Sequence, residues 1–77
     1  MKKNITGEIV AAQTARLSTG LEYGFITVAT SDKEYLKLKV DARTKYNTLE
    51  RGDRVQIEYK LLGNSDILSA RKIMKKE

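Results

Sequence analysis

Cysteine, histidine and proline are all absent from this chain. Without cysteine there is no disulfide and no thiolate metal site, and nothing argues for an oxidising compartment. Without histidine the chain lacks the side chain that titrates nearest to neutral pH, and cysteine would have been the strongest nucleophile at that pH. The absence of proline suits a β-sheet, because every residue of a strand can then donate its N–H group to the ladder.

The residues that are present form no catalytic or metal-binding motif. The carboxylates are scattered over turns and predicted solvent-facing strand positions, and none has the spacing of a calcium-binding loop. The five glycines are also scattered, without the Gly-Lys-Ser/Thr run that cradles a phosphate. We therefore predict that the chain is not an enzyme and that it uses no cofactor and no metal.

Long apolar runs are missing as well. No stretch approaches the roughly 20 apolar residues of a membrane span. Residues 1–8 are charged and lack the apolar core of a secretory signal. These features predict a cytoplasmic protein that does not enter a membrane.

The charge balance of the chain is basic. Fifteen Lys and Arg side chains oppose ten Asp and Glu side chains, which gives a net charge of +5. The length of 77 residues predicts one domain, residues 1–77, with short basic termini. Such a charge favours an encounter with polyanions such as nucleic acids, although a few net charges also serve solubility alone.

Two neighbouring segments, residues 24–29 and 35–40, alternate between apolar and polar side chains. This period of two predicts a pair of β-strands that are buried on one side, joined by a polar turn. The predicted inward side chains are Ile26, Val28, Leu36, Leu38 and Val40. The predicted outward side chains are Phe25, Thr27, Tyr35, Lys37 and Lys39. The outward side therefore combines two aromatic rings with two lysines.

Further short strands are predicted on either side of this pair. They cover residues 5–12, 54–61 and 67–73, with turn signals between them. Gly7 is a candidate for a bulge at which the first strand bends.

Residues 41–50, between the third and fourth strands, have weak helical character. Asp41 is a candidate cap for a short helix, and Leu49 is a candidate core residue on that helix. The chain is therefore predicted to be all-β, a five-stranded antiparallel barrel with a short helical insert between strands 3 and 4.

Residues 49–59 resemble the fourth strand of many OB-fold proteins, where the order is Gly-Asp-basic-Val-x-hydrophobic-acidic. Gly52 supplies the turn, and Val55 and Ile57 enter the barrel. Bacterial translation initiation factor 1 and the S1 RNA-binding domains are examples, and the factor is similar to this chain in length, basic charge and strand order. Its basic stretch after the third strand is matched here only by Arg43 and Lys45. The resemblance implies an OB-fold barrel and binding to the ribosome.

A solvent-facing sheet that carries rings beside lysines is typical of proteins that hold single-stranded nucleic acid. Bases stack on the rings, and phosphates lie near the ammonium groups. We therefore predict a single-stranded nucleic-acid-binding module with little sequence preference, for RNA more than for DNA. The predicted binding residues are Tyr23, Phe25, Tyr35, Lys37, Lys39, Arg43, Lys45 and Lys72.

Each of these residues also has a purely structural explanation. Phe25 and Tyr35 can brace the sheet through a cross-strand contact, and Lys37 and Lys39 can serve solubility. A protein-interaction or adaptor module is therefore the alternative function. Such a module would use an exposed strand edge or the same face to dock a protein partner or a larger ribonucleoprotein.

Overall fold

The computed structural model describes residues 3–61, 63 and 67–76 of the chain, so the predicted basic termini lie partly outside it. The described residues form six β-strands: β1 Lys3–Arg16, β2 Glu22–Thr30, β3 Tyr35–Val40, β4 Lys45–Tyr46, β5 Arg54–Leu61 and β6 Leu68–Lys75. Among these residues there is no helix, and hence none with the length and apolar character needed to cross a membrane. The prediction of an all-β fold is confirmed.

Strand pairing closes the sheet into a barrel. Antiparallel pairs run in the order β3-β2-β1-β5-β6. β6 then meets β3 through parallel pairs, Leu38 with Leu68 and Lys39 with Ser69. The two-residue strand β4 lies beside β6, outside this ring. The predicted five-stranded barrel is confirmed, with the difference that its closing contact is parallel.

The long strand β1 belongs to both halves of the barrel. It pairs with β5 over residues 3–8 and with β2 over residues 7–16. The register with β2 shifts between Ile9 and Ala11, so Val10 has no counterpart on β2. An extra residue of this kind bends a strand and increases its twist. The bulge therefore lies at Val10.

Gly7, the predicted bulge position, has a different role. It pairs with β2 on one side and with β5 on the other, and it is buried. A Cβ atom at this position would lie 2.5 Å from the backbone oxygen of Ala29 and 2.6 Å from a side-chain carbon of Val28. The prediction of a bulge at Gly7 is wrong, because the glycine is needed for close approach of the strands and not for a bend.

The interior of the barrel is filled by aliphatic side chains. The fully buried hydrophobic residues are Ile9, Ile26, Val28, Leu38, Val40, Val55, Ile57, Ala70 and Ile73. The sequence predicts eight core residues, and six of them are among these nine: Ile26, Val28, Leu38, Val40, Val55 and Ile57. The other two, Leu36 and Leu49, are partly buried against the same core. Because Leu38 is buried and Lys37 is exposed, the register predicted for β3 is confirmed.

Residues 41–50, predicted as a helical insert, begin with a turn instead. The Arg43 N–H group donates a hydrogen bond to Asp41 Oδ1 at 2.8 Å, and the Thr44 N–H group donates to the Asp41 carbonyl at 3.0 Å. Asp41 therefore begins an Asx turn rather than capping a helix. The Thr44 hydroxyl donates to the carbonyl of Ala70, which ties the turn to β6.

The rest of this segment is extended along β6. Lys45 of β4 pairs with Lys72 of β6, and the Asn47 N–H group donates to the carbonyl of Ile73 at 3.1 Å. The Lys75 N–H group donates in turn to Asn47 Oδ1 at 2.7 Å. These bonds satisfy backbone groups of β6 beyond its short contact with β3. The prediction of a helix is wrong here, because a helix would leave those groups without strand partners.

Among the glycines, Gly24 leaves the least space for a side chain, because β2 lies very close to β1 at this position. Its φ is +142°, and a Cβ atom would overlap the Gln13 carbonyl oxygen and lie 2.8 Å from Thr14 Cα. Both the backbone angle and the overlap exclude other residues without rearrangement. Gly24 separates Tyr23 from Phe25 on β2, so it also determines where these two rings lie.

Gly24→Ala is expected to lower the free energy of unfolding by about 2–4 kcal/mol, because backbone strain and overpacking act together. Gly20→Ala is the matched control. Gly20 has a φ of +90° but open space around it, so only strain of about 1–2 kcal/mol applies. Urea unfolding of both variants measures the difference. Equal losses in the two variants would contradict the overlap argument.

Candidate nucleic-acid interface

The outer surface of β1, β2 and β3 carries five of the eight predicted binding residues. Strand alternation directs them away from the core, because their neighbours Ile26, Leu38 and Val40 are fully buried. We call these five residues the aromatic face: Tyr23, Phe25, Tyr35, Lys37 and Lys39. Their placement on one surface is as the sequence predicts.

The register arranges the aromatic face as a grid. Phe25 is paired with Lys39, and Thr27 with Lys37. Tyr35 is paired with Ala29 at the start of β3. Tyr23 and Phe25 therefore follow β2, with their Cα atoms about 7 Å apart, while both lysines lie on the neighbouring strand.

The side chains beside these rings on β1 differ in size. On the outer side of β1, Ala15 is paired with Tyr23 and Ala11 with Thr27, whereas the longer side chain of Gln13 is paired with Phe25. Ala29 separates β1 from Tyr35. Tyr23 and Tyr35 therefore have small neighbours on this side, and Phe25 does not.

The three rings differ in accessibility. Tyr35 is 71% exposed and Tyr23 is 48% exposed, whereas Phe25 is half-buried. Base stacking requires an accessible ring, and the two exposed tyrosines meet this requirement without rearrangement.

Lys37 covers part of the remaining ring. Its Nζ lies 4.8 Å from the centroid of the Phe25 ring, diagonally across the β2–β3 pair. A cation–π contact at an exposed site contributes about 0.5–1 kcal/mol. A base that stacks on this face of Phe25 must therefore displace the ammonium group, which is then free to approach a phosphate.

The other three predicted residues lie elsewhere. Arg43, Lys45 and Lys72 line a surface depression together with Arg71 and Glu58. We call this the basic depression. Arg71 is not among the residues predicted from the sequence, because a strict period of two puts it on the opposite face from Lys72. The structure thus brings the predicted residues together as two groups and not as one.

Tyr46 connects the loop after β3 to the start of β2. Its hydroxyl donates a hydrogen bond to Glu22 Oε2 at 2.9 Å. This hydrogen bond, with smaller contributions from burial and from the Glu22 charge, raises the pKa of Tyr46 above its ordinary value, against an opposing effect of Arg16. The phenol therefore stays protonated at neutral pH and can keep donating to the strand that carries Tyr23.

Two solved structures have the same small barrel. Silver(I)-bound CusF aligns with a TM-score of 0.75 and 16% sequence identity, covering 99% of this chain and 99% of that one. Silver(I)-bound CusF from Escherichia coli aligns with a TM-score of 0.61 and 15% identity, covering 97% and 94%. No protein-family model matches the chain, and a search of curated proteins found no match.

The similarity to CusF shows the fold alone, because the sequence identity is low. It confirms a small OB-like barrel. Neither structure is an initiation factor or an S1 domain, so the narrower resemblance described above is not what the comparisons found.

A double-mutant cycle with Phe25→Leu and Lys37→Met tests the contact inside the aromatic face. We expect the two residues to be coupled by about 0.5–1 kcal/mol in the free energy of unfolding, as for an exposed cation–π pair. Lys3→Met replaces Lys37→Met in a control cycle, since Lys3 is exposed and lies on β1 outside the aromatic face, opposite Tyr59 of β5. Coupling to Lys37 alone is expected. Coupling of equal size in the Lys37 and Lys3 cycles would refute a specific contact between Lys37 and Phe25.

Proposed function

We propose that the chain is a single-stranded nucleic-acid-binding module, for RNA more than for DNA, with little sequence preference. The observation that carries this proposal is the aromatic face, where three rings and two lysines share one outer surface of the barrel. Every base has a face that can stack on a ring, so such a surface binds without reading sequence.

The arrangement of the face suggests how a strand would lie on it. Tyr23 and Phe25 follow β2, so bases would stack along that strand. Lys37 and Lys39 follow β3, so the phosphates would run along the β3 side. Each stacked base contributes about 1–3 kcal/mol, and each neutralised phosphate releases counterions.

A protein-interaction module is the second candidate, and one observation favours it. Beyond residue 8, β1 has no ladder pairing with β5, while its pairing with β2 continues to Arg16. In the described chain, residues 11–16 therefore have no strand partner on their other side. An open edge of this kind is where an extended peptide adds a strand.

Silver binding by the two CusF proteins does not transfer to this chain. A soft ion such as silver(I) is bound best by thiolate, thioether and imidazole groups. This sequence has no cysteine, no histidine and two methionines. Of these, Met74 is 38% exposed and lies beside the cation of Lys72 in a depression otherwise lined by Asn4, Gln56 and Glu58. This donor set does not fit a soft metal.

The absence of catalysis and a cytoplasmic location are parts of the same proposal. The described residues contain no group of three or more His, Cys, Asp or Glu side chains that could hold a metal. A binding module needs neither a metal nor a general base, so the residue types of this chain are sufficient for the proposed function.

Charge reversal tests the phosphate contacts of the aromatic face. Lys37→Glu combined with Lys39→Glu should weaken binding of labelled single-stranded RNA, and the log–log salt slope should become shallower by roughly 0.7 for each phosphate that is no longer neutralised. Binding is measured by fluorescence anisotropy at two salt concentrations. Lys3→Glu with Lys33→Glu is the matched control, because both lysines are exposed and lie outside the face.

The wild-type chain provides the decisive comparison in this experiment. Affinity that does not depend on salt, or no binding even at low salt, would refute nucleic-acid binding and favour the open edge of β1 as the functional site. Circular dichroism of the variants checks folding, since surface substitutions usually change stability by within about 0.5 kcal/mol.

Ring removal separates stacking from charge attraction. Phe25→Ala or Tyr35→Ala should each weaken RNA binding by about 1–3 kcal/mol and leave the salt slope unchanged. Leu61→Ala is the control, because this large apolar side chain is exposed on β5 and lies outside the aromatic face. If the rings only brace the sheet, the first two variants will melt at lower temperature while binding in the cold survives. That result would exclude stacking.

A further inference from the structure

A bulge in β6 directs two consecutive basic side chains outward. Glu58 is paired with Lys72 and Tyr59 with Ala70, so Arg71 has no counterpart on β5. Ala70 and Ile73 on either side are fully buried. Arg71 and Lys72 lie between these two inward residues. Because Arg71 is in the bulge, both side chains can lie on the outer surface.

Two other segments bring further cations to the same place. Lys45 in β4 is paired with Lys72, and the turn that begins at Asp41 carries Arg43. The result is the basic depression, in which four cations surround one carboxylate, that of Glu58.

The charges of this cluster are not balanced. Lys45 is paired with Lys72 across the parallel β4–β6 contact, while Glu58 of β5 is paired with Lys72 on its other side. Lys75 forms an ion pair with Asp53 at 3.8 Å, whereas none of the four cations of the depression has an ion pair within the described residues. Four cations and one carboxylate give the depression a net positive charge, which favours an anion.

The depression is close to the aromatic face around the barrel. Lys39, at the β3 side of the face, is paired with Ser69 of β6, and Arg71 follows two residues later. One strand spacing and two residues of rise put the backbones of Lys39 and Arg71 about 8 Å apart. A short piece of single strand spans this distance.

The geometry points to the basic depression as a second subsite for the same nucleic-acid strand. Resting on the proposed function, the strand leaves the aromatic face at Lys39, crosses the parallel β3–β6 contact, and its phosphates enter the depression. Arg71 and Lys72 then contact phosphates that a shorter ligand does not supply. The site accordingly has a minimum ligand length for full affinity.

Oligouridines of about 4 and about 12 nucleotides test this path, since one OB fold covers about 4–16 nucleotides and the shorter oligomer lies at the lower limit. The variant is Arg71→Gln with Lys72→Gln. For the longer oligomer we expect binding about 20-fold weaker at about 0.1 M salt and a salt slope shallower by about 1.4, because two phosphates are no longer neutralised. For the shorter oligomer we expect no change.

Arg51→Gln with Lys76→Gln is the matched control, because it removes the same charge from two exposed residues outside the depression. This control variant should weaken binding of the longer oligomer less than the depression variant does. Equal losses for both oligomers, or equal losses in variant and control, would overturn the second subsite while leaving the aromatic face as a binding site. A wild-type chain that binds neither oligomer would overturn the proposed function as well.

Discussion

The closing contact between β3 and β6 determines which side of each strand is available to a partner. Once five strands form a ring, the inward positions are occupied by close-packed aliphatic side chains such as Ile26, Leu38 and Ile57. A chain of 77 residues buries its apolar surface in this one core and has little left for a second layer. Any partner of the barrel therefore meets outward side chains. The same alternation that fills the core also exposes the rings and lysines of the aromatic face.

Two bulges modify that alternation, each with a separate consequence. The bulge at Val10 lets β1 bend from its pairing with β5 into its pairing with β2, which leaves one edge of its second half without a strand partner in the described chain. The bulge at Arg71 moves a cation to the outer surface beside Lys72. The two candidate docking surfaces besides the aromatic face, an open edge and a basic depression, both follow from these irregularities.

The sequence predicts what local alternation controls. In residues 24–29 and 35–40, a slip of one residue would turn every apolar side chain outward, so the register, the core and the aromatic face are all determined locally. Asp41 is different, because the same side chain suits a helix cap or an Asx turn, and the free backbone groups of β6 favour the turn. The outward position of Arg71 could not be predicted either, because a bulge in β6 depends on its register with β5, which is a contact between distant segments.

The most direct test of binding on the aromatic face is a map of backbone amide chemical shifts as single-stranded oligouridine is added to the labelled protein. We expect shifts concentrated on β2 and β3 at Tyr23, Phe25, Tyr35, Lys37 and Lys39, diminishing as salt is raised. The edge of β1 at residues 11–16 should change less. Shifts confined to that edge, or no shifts at low salt, would contradict binding of nucleic acid on the aromatic face.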